Sequence, residues 1–259
     1  MLPAMRWHFH LTAPANGVYN MALDEALMRR AARTGEAVFR VYGWSAPTLS
    51  LGRNQRARGC YDLRAARKMG VDFVRRPTGG RALLHDHEIT YSATLPLTDV
   101  AQAHAAYDFV NDVLLGGLAR LGVRAGRASE TTSMSPGLRP CFDVPAAREI
   151  VVAGRKLVGS AQWRHGGSLL QHGSILVRDD QPRIAQLMKA PWDAMPAAAT
   201  LGESLGREPS IEEVSVPILE SLRIAIGVRP EPLCPDNELE RDVERLRVTY
   251  ADDSWTWRR

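Results

Sequence analysis

Apolar residues recur at near-helical spacing through residues 19–33 (YNMALDEALMRRAAR), where Met21, Leu23, Leu27, Met28 and Ala31 gather on one side. Asn16 or Asn20 is available as a cap and Gly35 as a stop, so an amphipathic first helix is predicted. Residues 37–42 and 48–51 are short, rich in β-branched and aromatic side chains, and separated by Gly43-Trp44-Ser45-Ala46-Pro47, which predicts two strands joined by a loop. Residues 63–69 read as a short helix stopped by Gly70. A strand over 71–74 then runs directly into Arg75-Arg76-Pro77-Thr78-Gly79-Gly80-Arg81. Residues 82–84 and 88–95 alternate as further strands, and 103–121 form a helix ended by Gly122.

Periodicity is lost over residues 126–149 (GRASETTSMSPGLRPCFDVPAARE), which are rich in Gly, Ser, Thr and Pro and predict a long surface loop of the kind that often carries function. Strands over 150–153 and 156–158 flank a turn at Gly154-Arg155, a hairpin that would bring Lys156 beside that loop. Residues 169–177 alternate as another strand, 191–206 are rich in Pro, Ala and Gly, and 211–226 and 237–249 read as helices. Strands alternating with helices predict a mixed α/β (α+β) fold in one domain spanning residues 1–259, with a helical end from about residue 208.

Composition narrows the picture in three ways. With 259 residues, 45% hydrophobic and 24% charged, the chain can bury a substantial core. The start MLPAMRWH lacks the basic flank and apolar run of a signal peptide, and no apolar stretch approaches the ~20 residues that span a bilayer, so a cytoplasmic protein is expected. Cys60, Cys141 and Cys234 have no CxxC or CxxH spacing, so chemistry at sulfur would be single-thiol chemistry. The net charge of +4 is concentrated locally: Arg53, Arg56, Arg58, Arg64, Arg67, Lys68, Arg75, Arg76 and Arg81 fall in one stretch, which favours an acidic partner or a phosphate-bearing ligand, with Arg64, Arg67 and Lys68 read as solvated helix-face charges.

Three constellations could carry chemistry. In RRPTGGR, adjacent Gly79 and Gly80 would let the backbone approach a ligand closely while Arg75 and Arg76 supply forked donors; a plain hairpin turn is the alternative. The His85-Asp86-His87 spacing that follows reads as hydrogen-bonded structure rather than a metal site. Cys141 sits in a polar loop near a lysine-bearing hairpin, the setting that lowers a thiol pKa, although composition alone favours an inert cysteine anchoring the loop in the core. In GRKLVGSAQ (154–162), Lys156 can stabilise an oxyanion, while Gly159 and Ser160 leave room for an extended ligand.

Together these segments resemble a known family. RRPTGGRALLHDHEITYS (75–92) looks like the signature loop of the biotin/lipoate protein ligase superfamily, and GRKLVGSAQ looks like its second signature. NMALDEAL (20–27), TLSLGRNQ (48–55), LLQHGSIL (169–176) and LRVTYADDSWTW (246–257) extend the similarity over nearly the whole chain. Cys141, in PCFDVPAAREIVVAGRKLVGSAQ, is similar to the acyl-carrying cysteine of LipM-type octanoyltransferases, whereas lipoate ligases typically carry an asparagine-containing segment there.

The resemblance implies a central mixed sheet flanked by helices, with an acyl chain held between the RRPTGG loop and the GRK hairpin. It implies that Cys141 takes an octanoyl group from acyl carrier protein and passes it to a lysine of the glycine cleavage H protein or another lipoyl domain. Lys156 would hold the acyl carbonyl. Gly79 and Gly80 would line the pocket, with Arg75, Arg76 and His85 at its mouth and Gly159 and Ser160 beside the ligand. No cofactor, metal, nucleic acid or membrane is implied. An ATP-dependent lipoate-protein ligase and a degenerate carrier-binding protein without activity remain the alternatives.

Overall fold

In the computed structural model, which describes residues 5–97, 99–128, 148–190 and 196–259, strand β1 (Trp7–Leu11) leads into helix α1 (Gly17–Thr34) and the chain returns through β2 (Ala37–Tyr42). Then come β3 (Thr48–Leu51), the short α2 (Leu63–Lys68), β4 (Asp72–Arg75), β5 (Leu83–His85), β6 (Glu88–Pro96) and α3 (Val100–Arg120). The second half contains β7 (Gly126–Arg127), β8 (Ile150–Val152), β9 (Arg155–His165), β10 (Ser168–Leu176) and a 3-10 helix (Gln181–Leu187). It closes with α4 (Leu201–Leu205), α5 (Ile211–Ile226), β11 (Glu231–Pro232), α6 (Asn237–Ala251) and α7 (Asp253–Thr256).

Eight strands form one mixed sheet in the order β11-β1-β2-β6-β10-β9-β8-β7, and β4-β3-β5 form a second, smaller sheet. Alternation along β2 explains the layering. Phe39 and Val41 face a core shared with Val110 and Leu114 of α3 and Ile218 and Leu222 of α5, whereas Val38 faces Met21 and Leu27 of α1 and Leu246 of α6. Both faces are thus covered, which is why β2 is buried along its full length. The small sheet has its own apolar cluster of Leu49, Leu51, Leu84, Ile184 and Leu187.

Several details depart from the sequence reading. Asn16 is the α1 cap, accepting from Tyr19 N at 2.9 Å, whereas Asn20 is buried inside the helix and donates to Ala15 O and Gly43 O. β1 had no counterpart among the expected strands, although Trp7, Phe9 and Leu11 alternate with His8 and His10. β9 runs to His165 rather than stopping at Val158, because pairing with β10 from Ser168 to Ile175 overrides the weak strand preference of Gly159, Ser160 and Ala161. The expected hairpin is present: Ala153 and Gly154 both take positive φ (48° and 76°) between the paired Val152 and Arg155. Residues 129–147 of the expected long loop, Cys141 among them, lie outside the described residues.

Candidate active site

Where the small sheet meets the large one beside α1, a narrow cleft opens. Met21, Trp44, Leu83, Gly159 and Ala161 line it, with Arg76, His85, Ser160, His172 and Ser174 contributing polar side chains. Gly159 and Gly173 present no side chain to it, so a slim, extended apolar ligand suits the shape.

The polar atoms around the cleft are largely satisfied by one another. Asp24, fully buried on α1, accepts from Arg40 Nη1 (2.8 Å) and Ser92 Oγ (2.8 Å) on one oxygen and from Tyr42 OH (2.8 Å) and His172 Nδ1 (3.0 Å) on the other. Burial alone would raise its pKa. The bond from His172 and the charge of Arg40 outweigh that and hold it below the usual carboxylate range. A carboxylate only accepts, so His172 carries its proton on Nδ1 and its Nε2 accepts from Thr78 Oγ1 at 2.7 Å. Burial is the main cause of the lowered His172 pKa, partly offset by Asp24, and the ring is neutral.

A second relay closes the other wall. His85 stacks on Trp44 with centroids 3.9 Å apart, its Nδ1 meeting Glu88 Oε1 at 2.7 Å and its Nε2 meeting Ser50 Oγ at 2.7 Å. Thr90 and Ser174 also donate to Glu88 Oε1.

These buried groups predict an early onset of acid destabilisation. The unfolded chain protonates His172 near pH 6.5 while the folded chain resists, so stability present above that value is lost as pH falls below it. His10 acts in the same direction, its folded pKa held down to about 4 by burial and by Arg40. Asp24 adds stability that is lost only as pH falls below 3.8. Denaturant unfolding should therefore show stability declining from about pH 6.5, with a slope of up to ~1.4 kcal/mol per pH unit for each resisting histidine. His172→Gln should reduce that slope, and a wild-type profile flat down to pH 5 would refute the assignment.

The RRPTGGR loop is held from behind. Arg75 is fully buried, and its guanidinium donates to the carbonyls of Gly52 (2.5 Å), Gln55 (2.9 Å) and Thr256 (2.8 Å), so it braces the loop instead of standing at the mouth. Arg76 reaches the cleft and also donates to Ser50 O, Gly79 O and Arg81 O. Gly80 has φ 94°, and a Cβ on Gly52 would lie 2.0 Å from Gly80 O, so these two backbones touch only because Gly52 has no side chain. Gly79 and Gly80 lie behind Arg76 and are not among the described lining residues.

Lys156 is 3% exposed, with Nζ 2.7 Å from Glu149 Oε1. It sits on β9 at the bulge opposite Ile150 and Val151, three residues before Gly159, and is likewise not among the described lining residues. The structure thus brings Arg76, His85, Gly159 and Ser160 to one cleft, with Arg75, Gly79, Gly80 and Lys156 around it. His85 and His87 do not converge: His87 turns to Asp180, 3.0 Å away, and Asp86 pairs with Arg183. Asp86, His87 and Asp180 place ligand atoms within 4.8 Å of one another.

Sequence reasoning did not single out Asp24, Thr78 or His172. The available signal was Asn20 and Asp24 at i, i+4, two polar residues interrupting an otherwise apolar helix face.

Comparison with known proteins identifies the family. Residues 16–223 match the sequence profile of the lipoyl protein ligase A/B catalytic domain. Octanoyltransferase LipM of Kyrpidia tusciae is 36% identical over 98% of this chain and 99% of its own length, and that of Bacillus subtilis is 33% identical over 98% of each. Among solved structures, a lipoate-protein ligase A bound with ATP has a TM-score of 0.81 at 21% identity, covering 98% of this chain and 99% of that one. A bi-partite lipoate protein ligase from Thermoplasma acidophilum gives 0.79 at 21% identity, over 98% and 96% of the two chains. The solved structures share the fold, the curated relatives share the sequence from end to end, and the chain belongs to the lipoyl protein ligase A/B catalytic domain family.

Proposed function

We propose that this protein is an octanoyltransferase of lipoate assembly, which moves an octanoyl chain from acyl carrier protein to a lysine of a lipoyl domain such as the glycine cleavage H protein. The observation that carries this reading is end-to-end similarity at 33–36% identity to several proteins each named octanoyltransferase LipM. A narrow, largely apolar cleft bordered by Gly159 and Ala161 supports it, because an eight-carbon chain needs little else.

In the proposed reaction the Cys141 thiolate attacks the octanoyl thioester carbonyl. A new C–S bond forms, the bond to the carrier's pantetheine sulfur breaks, and that sulfur leaves as a thiol after taking up a proton. The acceptor amine, once deprotonated, attacks the Cys141 thioester. The amide C–N bond forms, the nitrogen gives up one proton to solvent, and the Cys141 thiolate is released. Thioester exchange is nearly isoenergetic and amide formation from a thioester is downhill, so neither step requires ATP or another cofactor. Lys156 steadies the carbonyl oxygen as it gains charge. An acyl-carrier donor places the reaction in the cytoplasm.

Intact-mass spectrometry of wild type and Cys141→Ala, each incubated with octanoyl-acyl carrier protein and no ATP, tests this reading. A hydroxylamine-labile octanoyl adduct is expected on wild type alone. No adduct, with acceptor modified only when ATP and free acid are supplied, would make the protein a ligase.

A further inference from the structure

Beside the RRPTGG loop stand guanidinium groups that no described carboxylate neutralises. Arg53 follows Gly52 directly. Its N–H donates to Thr78 O at 2.8 Å, and its guanidinium lies over the Trp163 indole, 4.7 Å from the ring centroid. Trp163 stands on β9 two residues beyond Ala161, which lines the cleft, and itself borders a neighbouring hollow beside Met28 and Arg29 of α1. The Arg53–Trp163 stack therefore ties the RRPTGG loop to β9, next to the cleft that both elements help to form. Beside it Arg258 lies over Trp255 at 4.1 Å and donates to Arg53 O at 2.5 Å, while Trp255 Nε1 donates to Arg75 O.

Many other surface arginines have acidic partners: Arg127 pairs with Asp108 and Asp112, Arg178 with Glu208, and Arg207 with Glu213. Among the described residues Arg53 and Arg258 have no such partner, and Arg258 Nε is buried without any hydrogen-bond acceptor. Burial and then the charges of Arg53 and Arg259 lower the Arg258 pKa, and burial followed by Arg258 lowers that of Arg75 to about 10. Both shifts run against the charged form, and a bound anion would oppose them.

We propose that Arg53 and Arg258, braced on Trp163 and Trp255, form an anion seat beside the RRPTGG loop that binds the phosphodiester of the donor's phosphopantetheine arm. The inference rests on the acyl-carrier donor assigned above. A pantetheine arm that feeds an acyl thioester into a narrow cleft must leave its phosphate outside, and these two guanidiniums stand beside the loop that helps to form that cleft. A guanidinium already stacked on an indole loses little further freedom when its fork meets phosphate oxygens. Arg258 is partly buried, a position that suits a small anion reaching in; exposed arginines such as Arg56 and Arg58 would suit the flat acidic face of a carrier protein.

The test compares KM for octanoyl-pantetheine, octanoyl-phosphopantetheine and octanoyl-acyl carrier protein in wild type, in Arg53→Gln/Arg258→Gln, and in Arg229→Gln, which removes an exposed charge next to β11 at the far edge of the sheet. In wild type the phosphate should lower KM about tenfold, the size of one charge-assisted hydrogen bond. That advantage should collapse in the double variant and persist in Arg229→Gln. Calorimetry with phosphopantetheine itself should show the same loss of affinity, independent of turnover. An equal phosphate advantage in wild type and double variant would overturn the seat, as would a defect seen only with the intact carrier, which would instead place the arginines against its protein surface. Wild type that releases no thiol from any of the three donors would overturn the donor assignment as well, whereas turnover indifferent to phosphate would overturn the seat alone.

Discussion

Asp24→Ala is expected to cost about 3–5 kcal/mol of stability, the loss typical of breaking a buried ion pair from one side. Arg40 has no exposure and would keep its charge without the carboxylate that neutralises it, and Tyr42, Ser92 and His172 would lose their shared acceptor. At roughly 2–4 °C per kcal/mol for a chain of this size, the melting temperature should fall by about 10 °C or more. Asp24→Asn keeps the shape but can turn its NH2 toward His172, favouring the opposite tautomer and leaving Thr78 to face an N–H. It should therefore melt between the two and transfer octanoyl more slowly than wild type. A calorimetric loss below about 1 kcal/mol for the alanine variant would mean that Arg40 finds a substitute partner, and the network would not be the keystone described.

Lys156→Met should lower the octanoyl transfer rate by about 10²–10⁴, the range expected when a group that stabilises developing charge is removed. It should also destabilise the fold, because it deprives Glu149, only 6% exposed, of its 2.7 Å ion pair. The two effects separate in Lys156→Met/Glu149→Gln. Removing both charges should restore much of the thermal stability while leaving transfer as slow as in the single variant. Single-turnover transfer to a lipoyl domain, measured beside thermal unfolding, checks both halves. Recovery of activity along with stability would reduce Lys156 to a structural role.

The chain made most of its architecture readable because its long elements are strongly patterned. The apolar spacing of Met21, Leu23, Leu27 and Met28 forms α1, and the Gly154 turn forms the β8–β9 hairpin. Periodicity was a poor guide where neighbours rather than local preference decide. β9 continues through Gly159, Ser160 and Ala161 only because β10 holds it, and β11 exists as two residues paired to β1.

The same distinction separates the site residues. Arg76, His85, Gly159 and Ser160 are in motifs whose spacing suggests a ligand, and they line the cleft. Arg75 belongs to the same motif, yet its partners are carbonyls of Gly52, Gln55 and Thr256, distant in sequence and invisible to spacing. Asp24, Thr78 and His172 come from three segments that meet only in the folded chain, so beyond the i, i+4 pair of Asn20 and Asp24 no local spacing announces their relay.

The bracing of Arg75 has a consequence for the order in which the protein is made. Every residue lining the cleft, from Met21 to Ser174, is synthesised well before Thr256, whose carbonyl Arg75 grips, and before Arg259, whose carbonyl takes the N–H groups of Ala57 and Arg58. On the ribosome the RRPTGG loop thus lacks these carbonyl partners until residues 256–259 have emerged, which makes its brace a late addition to the fold.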